Sequence, residues 1–73
     1  MDFRDTIVRE LVYLMFDPSE QMCRIYDAAK QYKCVYDGSM EDIPKEYLTD
    51  EIYGIDNINN DGYLNINVDT DRR

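Results

Sequence analysis

The chain has 73 residues, of which 44% are hydrophobic and 33% charged, and it contains no histidine. A chain of this length holds one domain at most and buries only ~60% of its unfolded surface, so dimerisation could add stability. No stretch reaches the ~20 apolar residues that a membrane-spanning helix needs, and no signal-peptide pattern begins the chain. We therefore expect a cytoplasmic protein in which Cys23 and Cys34 are reduced thiols.

Acidic residues dominate the second half of the chain, and the net charge is −8. Residues 1–36 carry six acids and five bases, whereas residues 37–71 carry ten acids and one base, Lys45. The acidic segment of residues 37–71 is expected to repel nucleic acid and to attract basic surfaces. The same charge also serves simply to keep a small protein soluble. Direct binding to nucleic acid is therefore not expected, and a protein partner with a basic surface is one interpretation of the charge.

Residues 2–16 are predicted to form the first helix, because apolar residues recur there at helical spacing. From Val8 onward the apolar arc widens to about half of the helix circumference, more than one core contact requires. Part of this helix could therefore face a second subunit. The candidate residues for such contacts are Val8, Val12 and Phe16.

Two interpretations of residues 19–36 stay open from the residues alone. A helix starting at Asp17-Pro18 is favoured by the periodicity. A β-hairpin is the alternative, with strands at 23–27 and 32–37, and a turn between Ala28 and Ala29 would pair Cys23 directly with Cys34. That turn lacks the Gly, Asn or Pro that hairpins prefer.

The rest of the chain predicts a short helical turn and a second hairpin. Pro44 precedes a helical turn at 45–48, and residues 51–58 have the pattern of a strand in which Gly54 indicates a bulge or a close backbone approach. The segment Asn59–Gly62 is a turn signal, and residues 63–68 alternate cleanly between apolar and polar side chains. Residues 69–73 are expected to be a frayed tail.

No motif for catalysis or for a cofactor is complete. Residues 57–65 match the opening of an EF-hand loop, but Asn57 replaces its first Asp and Val68 replaces its bidentate Glu, so a hairpin turn is expected rather than a metal site. The two cysteines lack a histidine partner and CxxC spacing, which leaves them as small buried hydrophobes. We therefore expect a protein that is not an enzyme and holds neither a metal nor a cofactor.

The order of several short motifs carries a resemblance that covers roughly residues 6–68. They are Arg9-Glu10-Leu11, Ile25-Tyr26-Asp27, Val35-Tyr36-Asp37-Gly38, Asp42-Ile43-Pro44, Tyr47-Leu48, Glu51-Ile52-Tyr53-Gly54-Ile55 and Leu64-Asn65-Ile66-Asn67-Val68. In their order and spacing the chain resembles a group of short acidic proteins from phages and mobile elements of Gram-positive bacteria. No functional residue is carried over from that group.

The resemblance implies two strands in the middle segment, although Ala28-Ala29 departs from the Gly- or Asp-containing turn that the group would have there. With that hairpin, the predicted fold is a single α+β domain in the order α-β-β-α-β-β. The N-terminal helix would cover one face of a small, mostly antiparallel four-stranded sheet. The other face of such a sheet can stay solvated.

Two functions are expected from these observations. The first is an anti-CRISPR or other anti-defence inhibitor, acting in the host cytoplasm, whose carboxylates occupy a basic nucleic-acid site on a CRISPR effector or other nuclease. The second is a structural or regulatory accessory protein that acts as a homodimer through the first helix. Tyrosine is frequent at binding hot spots and suits an arginine-rich partner. The candidate partner-binding residues are Asp37, Glu41, Asp42, Glu46, Asp50, Glu51, Asp56, Tyr36, Tyr47 and Tyr53.

Overall fold

The computed structural model describes residues 6–72 and contains a four-stranded mixed sheet. Its strands, β1 (Met22–Asp27), β2 (Lys33–Ser39), β3 (Gly54–Asp56) and β4 (Tyr63–Val68), lie in the order β2-β1-β4-β3. The two outer pairs are antiparallel, and the central pair of β1 and β4 is parallel. With helices α1 (Val8–Leu14) and α2 (Lys45–Leu48), the predicted α+β class and element order are confirmed.

Both helices pack on the same face of the sheet. The buried apolar cluster there consists of Val8, Leu11, Cys23, Ile25, Met40, Ile43, Tyr47, Ile52, Ile66 and Val68. Strand alternation directs these side chains of β1 and β4 to one face, and burying a large apolar side chain stabilises the fold by about 1.5–3 kcal/mol. The opposite face carries mostly polar side chains, and we call it the open face.

Helix α1 is shorter than predicted. Residues 2–5 lie outside the described residues, and Ile7 is extended and bridges Glu51. The backbone of this segment bonds to the chain after α2, since Ile52 N donates to Thr6 O at 2.9 Å. Glu10 then accepts a bond from Ile7 N at 3.3 Å, which supports the helix start. Extended pairing therefore takes Thr6 and Ile7 out of the helix.

The middle segment is a hairpin, as the resemblance implied, but its register differs from the predicted one. Cys23 lies opposite Gly38, and Cys34 lies opposite Tyr26. The turn between β1 and β2 has five residues, including Gln31 and Tyr32 at φ 59°. The centre of the hairpin therefore lies further along the chain than the predicted point between Ala28 and Ala29. The predicted direct pairing of the two cysteines was wrong.

The second hairpin forms as predicted, with a shorter first strand. β3 covers Gly54–Asp56 rather than residues 51–58, because the Asp56 carboxylate accepts a bond from Ile58 N (3.2 Å) and turns the chain. Asn60 and Gly62 have positive φ in the loop to β4. The hairpin-turn interpretation of the loop is thereby confirmed.

Residues 70–72 are ordered and do not form the predicted frayed tail. Thr70–Arg72 form a 3-10 turn, and the buried Asp27 carboxylate accepts bonds from Thr70 N (3.1 Å) and Thr70 Oγ1 (2.6 Å). Burial alone would raise the pKa of Asp27, but the bonds from Thr70 and Ala29 outweigh it and lower the pKa. Asp27 therefore fastens the end of the chain to the sheet.

Candidate protein-interaction surface

Three loops leave the sheet at the same end. Met22, the first residue of β1, pairs with Ser39 at the end of β2 and with Tyr63 at the start of β4. The parallel pairing of β1 with β4 is what brings the loop before β4 next to the loop before β1. Segments 15–21, 40–44 and 57–62 therefore meet.

Hydrogen bonds join these loops to one another. Gln21 Nε2 donates to Gly62 O at 3.0 Å, and Glu41 N donates to Pro18 O at 3.1 Å. The loops thus support each other directly, and their side chains form a common surface.

The common surface is acidic, and we call it the acidic end. Its exposed carboxylates are those of Asp17, Glu20, Asp37, Glu41, Asp42 and Asp61. The segments 15–21, 37–44 and 57–62 contain no lysine or arginine. Clustered like charges of this kind produce a strong local potential that attracts a cationic surface.

Arg24 of β1 forms ion pairs with two carboxylates of the acidic end. Arg24 Nη1 lies 3.0 Å from Asp61 Oδ2, and Arg24 Nε lies 3.5 Å from Asp37 Oδ2. Its guanidinium also lies 3.9 Å above the centre of the Tyr63 ring. The hydrogen bond from Arg24 lowers the pKa of Asp61. Arg24 therefore holds both carboxylates in place.

A polar row crosses the open face from edge to edge. Asp37 pairs with Arg24, Arg24 with Asn65, and Asn65 with Asp56, so each strand contributes one residue. Asn65 Nδ2 donates to Asp56 Oδ1 at 2.9 Å. Asp56 therefore lies on the open face at the β3 edge, across the sheet from the acidic end's Asp37.

The predicted partner-binding acids do not all lie together. Asp37, Glu41 and Asp42 belong to the acidic end, whereas Glu46 on α2 and Glu51 after it are exposed elsewhere. Asp50 is only 4% exposed. Its burial removes it from any surface of the folded monomer.

Burial also separates the predicted tyrosines. Tyr47 belongs to the core, and Tyr36 is half-buried with its hydroxyl donating to Ser39 O at 2.6 Å. Tyr53 is 48% exposed, and the Arg72 guanidinium lies 5.5 Å from its ring centre. Of the three, Tyr53 is the one whose side chain is largely accessible.

The predicted oligomer residues divide in the same way. Val8 is fully buried and Val12 packs against the core, because α1 turns this side towards the sheet. Phe16 is fully exposed, and Tyr13 and Leu14 are exposed beside it in sequence. An apolar contact at the end of α1 would therefore use Tyr13 and Leu14 of the helix and Phe16 just after it, rather than the two valines.

Sequence reasoning missed half of the acidic end. Asp17, Glu20 and Asp61 were not among the predicted residues, since they lie in two loops far apart in the chain. The polar turn residues around them indicated loops, but no local pattern indicated that the loops meet. The parallel pairing of β1 and β4 was the missing information.

The cysteines and acids of residues 6–72 form no cluster suited to a metal ion. Both cysteines are free thiols, and burial raises the pKa of Cys23 to about 12. No group of three or more potential ligand side chains suited to a metal ion occurs in the described part of the chain. The loop that resembles an EF-hand joins two strands, whereas a calcium loop of that type joins two helices.

Comparisons with protein-family models, with curated proteins and with solved structures found no match. None of the helices in residues 6–72 has the length and apolar character needed to cross a membrane.

Proposed function

We propose that this chain is a small acidic protein-binding module whose acidic end docks on a basic surface of another protein. The observation that carries the proposal is the convergence of six exposed carboxylates at one end of the sheet, five from the three loops and one, Asp37, from β2. Charges fixed on a scaffold attract a basic partner and orient it during the encounter.

The specific form of the proposal is an inhibitor of a host defence nuclease. A nuclease binds the phosphates of nucleic acid with lysine and arginine, and the acidic end would occupy those residues in place of phosphates. The resemblance to acidic proteins of phages and mobile elements supports this choice of partner. On this proposal the chain has no enzymatic activity of its own and acts in the host cytoplasm.

The first test compares two double variants with the same change in net charge. Glu20→Lys with Glu41→Lys alters the acidic end at side chains that have no hydrogen-bond partner among residues 6–72. Glu51→Lys with Asp71→Lys makes the same change at exposed positions elsewhere. The tagged proteins are used to capture partners from a Gram-positive host at about 50 mM and about 500 mM salt.

We expect the wild type and the Glu51/Asp71 variant to capture a basic nucleic-acid-binding protein at low salt and release it at high salt. The Glu20/Glu41 variant should lose it. Equal loss in both variants would mean that net charge, and not the acidic end, governs the interaction.

A second candidate function rests on the exposed apolar side chains at the end of α1 and just after it. Tyr13, Leu14 and Phe16 are 79%, 65% and 106% exposed, and exposed apolar residues that cluster mark interaction sites. An accessory protein of a mobile element could form homodimers there. Light scattering should then give a dimer that Phe16→Asp converts to a monomer, and a monomeric wild type at high concentration would exclude this function.

A further inference from the structure

A shallow groove of about 340 Å³ crosses the open face beside the acidic end. Its volume is near the lower limit for pockets that bind small ligands. Side chains of three strands and two turns line it, and they include Tyr26, Tyr32, Asp56, Ile58, Asn65 and Asn67. The groove is thus rich in aromatic rings and hydrogen-bond acceptors.

The groove contains an acceptor that the fold leaves unpaired. Asn65 is 4% exposed, and its buried Oδ1 has no hydrogen-bond partner among the described residues. The buried atom is the amide oxygen, because the other amide atom lies 2.9 Å from the acceptor Asp56 Oδ1 and must therefore be the donor, Nδ2. A buried polar atom without a partner destabilises the protein, so a donor that reached Oδ1 would gain a hydrogen bond at little cost.

A second acceptor lies beside the first. Asp56 Oδ1 accepts bonds from Asn65 Nδ2 and Ile58 N, while no described residue donates to Asp56 Oδ2. The described residues that line the groove include no lysine or arginine. Among them the Asp56 carboxylate has no cationic neighbour, unlike Asp37 and Asp61, which share Arg24.

Next to the groove, on the same face of the sheet, carboxylates and a tyrosine ring already hold a guanidinium group, that of Arg24. Arg24 is held by carboxylates on two sides and by the ring of Tyr63 beneath it. The groove also offers a carboxylate and tyrosine rings, and it adds the amide oxygen of Asn65. A guanidinium fits them better than an ammonium, since it is planar, donates from several N–H groups and stacks on rings.

We propose that the groove is a binding site for a guanidinium group, supplied by an arginine side chain of the partner protein. One N–H group bonds to Asn65 Oδ1, another bonds to the Asp56 carboxylate, and the plane of the guanidinium stacks on Tyr26 or Tyr32. Because Oδ1 is closed to solvent, a neighbouring side chain must move aside. Tyr32 lines the groove and is 63% exposed, so its ring has room to adjust to the ligand.

This inference deepens the proposed function and rests on it for the source of the arginine. The acidic end would attract the basic partner over a distance, and the groove would select an arginine on it at contact. The two surfaces are joined by the polar row in which Arg24 pairs with Asn65.

The test titrates the isotopically labelled full chain with N-acetyl-arginine amide and follows the amide and ring signals by NMR. N-acetyl-citrulline amide, which has nearly the same shape without the charge, and N-acetyl-lysine amide are the matched ligands. We expect saturable shifts at the Asn65 side-chain NH₂ and at Tyr26 and Tyr32, with a Kd of about 1 mM. The citrulline and lysine derivatives should bind at least about threefold more weakly.

Variants separate the groove from general charge attraction. Asp56→Asn should weaken binding of the arginine derivative about fivefold. Asp71→Asn makes the same charge change at an exposed position outside the groove and the acidic end, and it should leave binding unchanged. If Asp56→Asn fails to fold, Tyr32→Ala replaces it, since the Tyr32 side chain makes no hydrogen bond with any described residue. Equal binding of the citrulline or lysine derivative, equal weakening by both Asp variants, or no saturable shift in the groove would overturn the inference.

The outcomes for the two proposals are distinguishable. Absence of arginine binding, with salt-sensitive capture of a basic partner retained, would remove the groove inference alone. Arginine binding without any effect of the Glu20/Glu41 variant on partner capture would remove the proposed function of the acidic end alone.

Discussion

Replacing Asp27 tests whether one buried carboxylate fastens the end of the chain to the sheet. Asp27 Oδ1 accepts bonds from Ala29 N (3.0 Å) and Thr70 N (3.1 Å), and Oδ2 accepts one from Thr70 Oγ1 (2.6 Å). Asp27→Ala removes the acceptor of all three. A hydrogen bond to a charged group contributes about 1.5–3 kcal/mol, so the loss of the two backbone bonds alone should cost about 3–6 kcal/mol.

That loss is large for a chain of this size, whose free energy of unfolding is expected to be about 4–11 kcal/mol. Asp27→Asn is the matched variant, because the amide oxygen can still accept from both backbone N–H groups. It should cost about 1 kcal/mol. Asp71→Ala, an exposed position two residues before the end of the chain, should stay within about 0.5 kcal/mol of the wild type.

The pH dependence of these variants supplies an independent check. The folded-state pKa of Asp27 is lowered below its ordinary value, so its ionised form stabilises the fold above the unfolded-state pKa. This contribution is lost as the pH falls through the folded-state pKa. The stability difference between wild type and Asp27→Asn should therefore shrink between about pH 5 and about pH 3.

Urea denaturation followed by circular dichroism measures these differences at each pH. If Asp27→Ala were as stable as Asp71→Ala, the carboxylate would not fasten the end of the chain. An undiminished gap between wild type and Asp27→Asn at about pH 3 would show that ionisation of Asp27 is not what stabilises the fold.

Three further expectations follow from single positions. Gly62 has φ +83°, so Gly62→Ala should lower the free energy of unfolding by about 1 kcal/mol, and an unchanged urea midpoint would contradict the strained turn. Cys34 is exposed and Cys23 is buried with a raised pKa, so a thiol reagent should label one cysteine in the native protein and two in urea; two rapidly labelled thiols without urea would contradict this burial. Ile66 is fully buried and Ile58 is 83% exposed. Ile66→Ala should therefore lower the free energy of unfolding by about 2–5 kcal/mol, and Ile58→Ala by less than about 0.5 kcal/mol. Similar losses in both variants would contradict the assigned core.

Local patterns predicted the parts of the fold that local forces determine. The alternation in residues 63–68 matches β4, with Ile66 and Val68 buried on the core face. The polar turn before it likewise matches the loop between β3 and β4. These elements need only strand alternation and turn chemistry, both of which are written in consecutive residues.

Long-range pairing decided the elements that the patterns did not fix. Thr6 and Ile7 have helical spacing with the residues after them, yet their backbone pairs with the segment after α2. The turn after β1 has Gln31 and Tyr32 at positive φ. These positions hold neither the glycine nor the asparagine that would have indicated a turn in the sequence. Propensity is a weak guide when tertiary contacts compete with it.

The candidate surface depends even more on topology. The charge bias of residues 37–71 indicated a basic partner, but it included the buried Asp50 and omitted Asp17 and Glu20. The acidic end forms because β1 and β4 are parallel neighbours, a pairing between segments that are about 40 residues apart. Strand order of this kind is a property of the whole chain and not of any motif in it.

Competition with nucleic acid tests the central claim most directly. The captured partner is bound to fluorescently labelled DNA or RNA, and the anisotropy of the label is followed as this protein is added. We expect the wild type and the Glu51/Asp71 variant to displace the nucleic acid, and the Glu20/Glu41 variant to need at least about tenfold more protein to do so. A ternary complex that keeps its nucleic acid, or equal displacement by the Glu20/Glu41 variant, would contradict a module that acts through its acidic end.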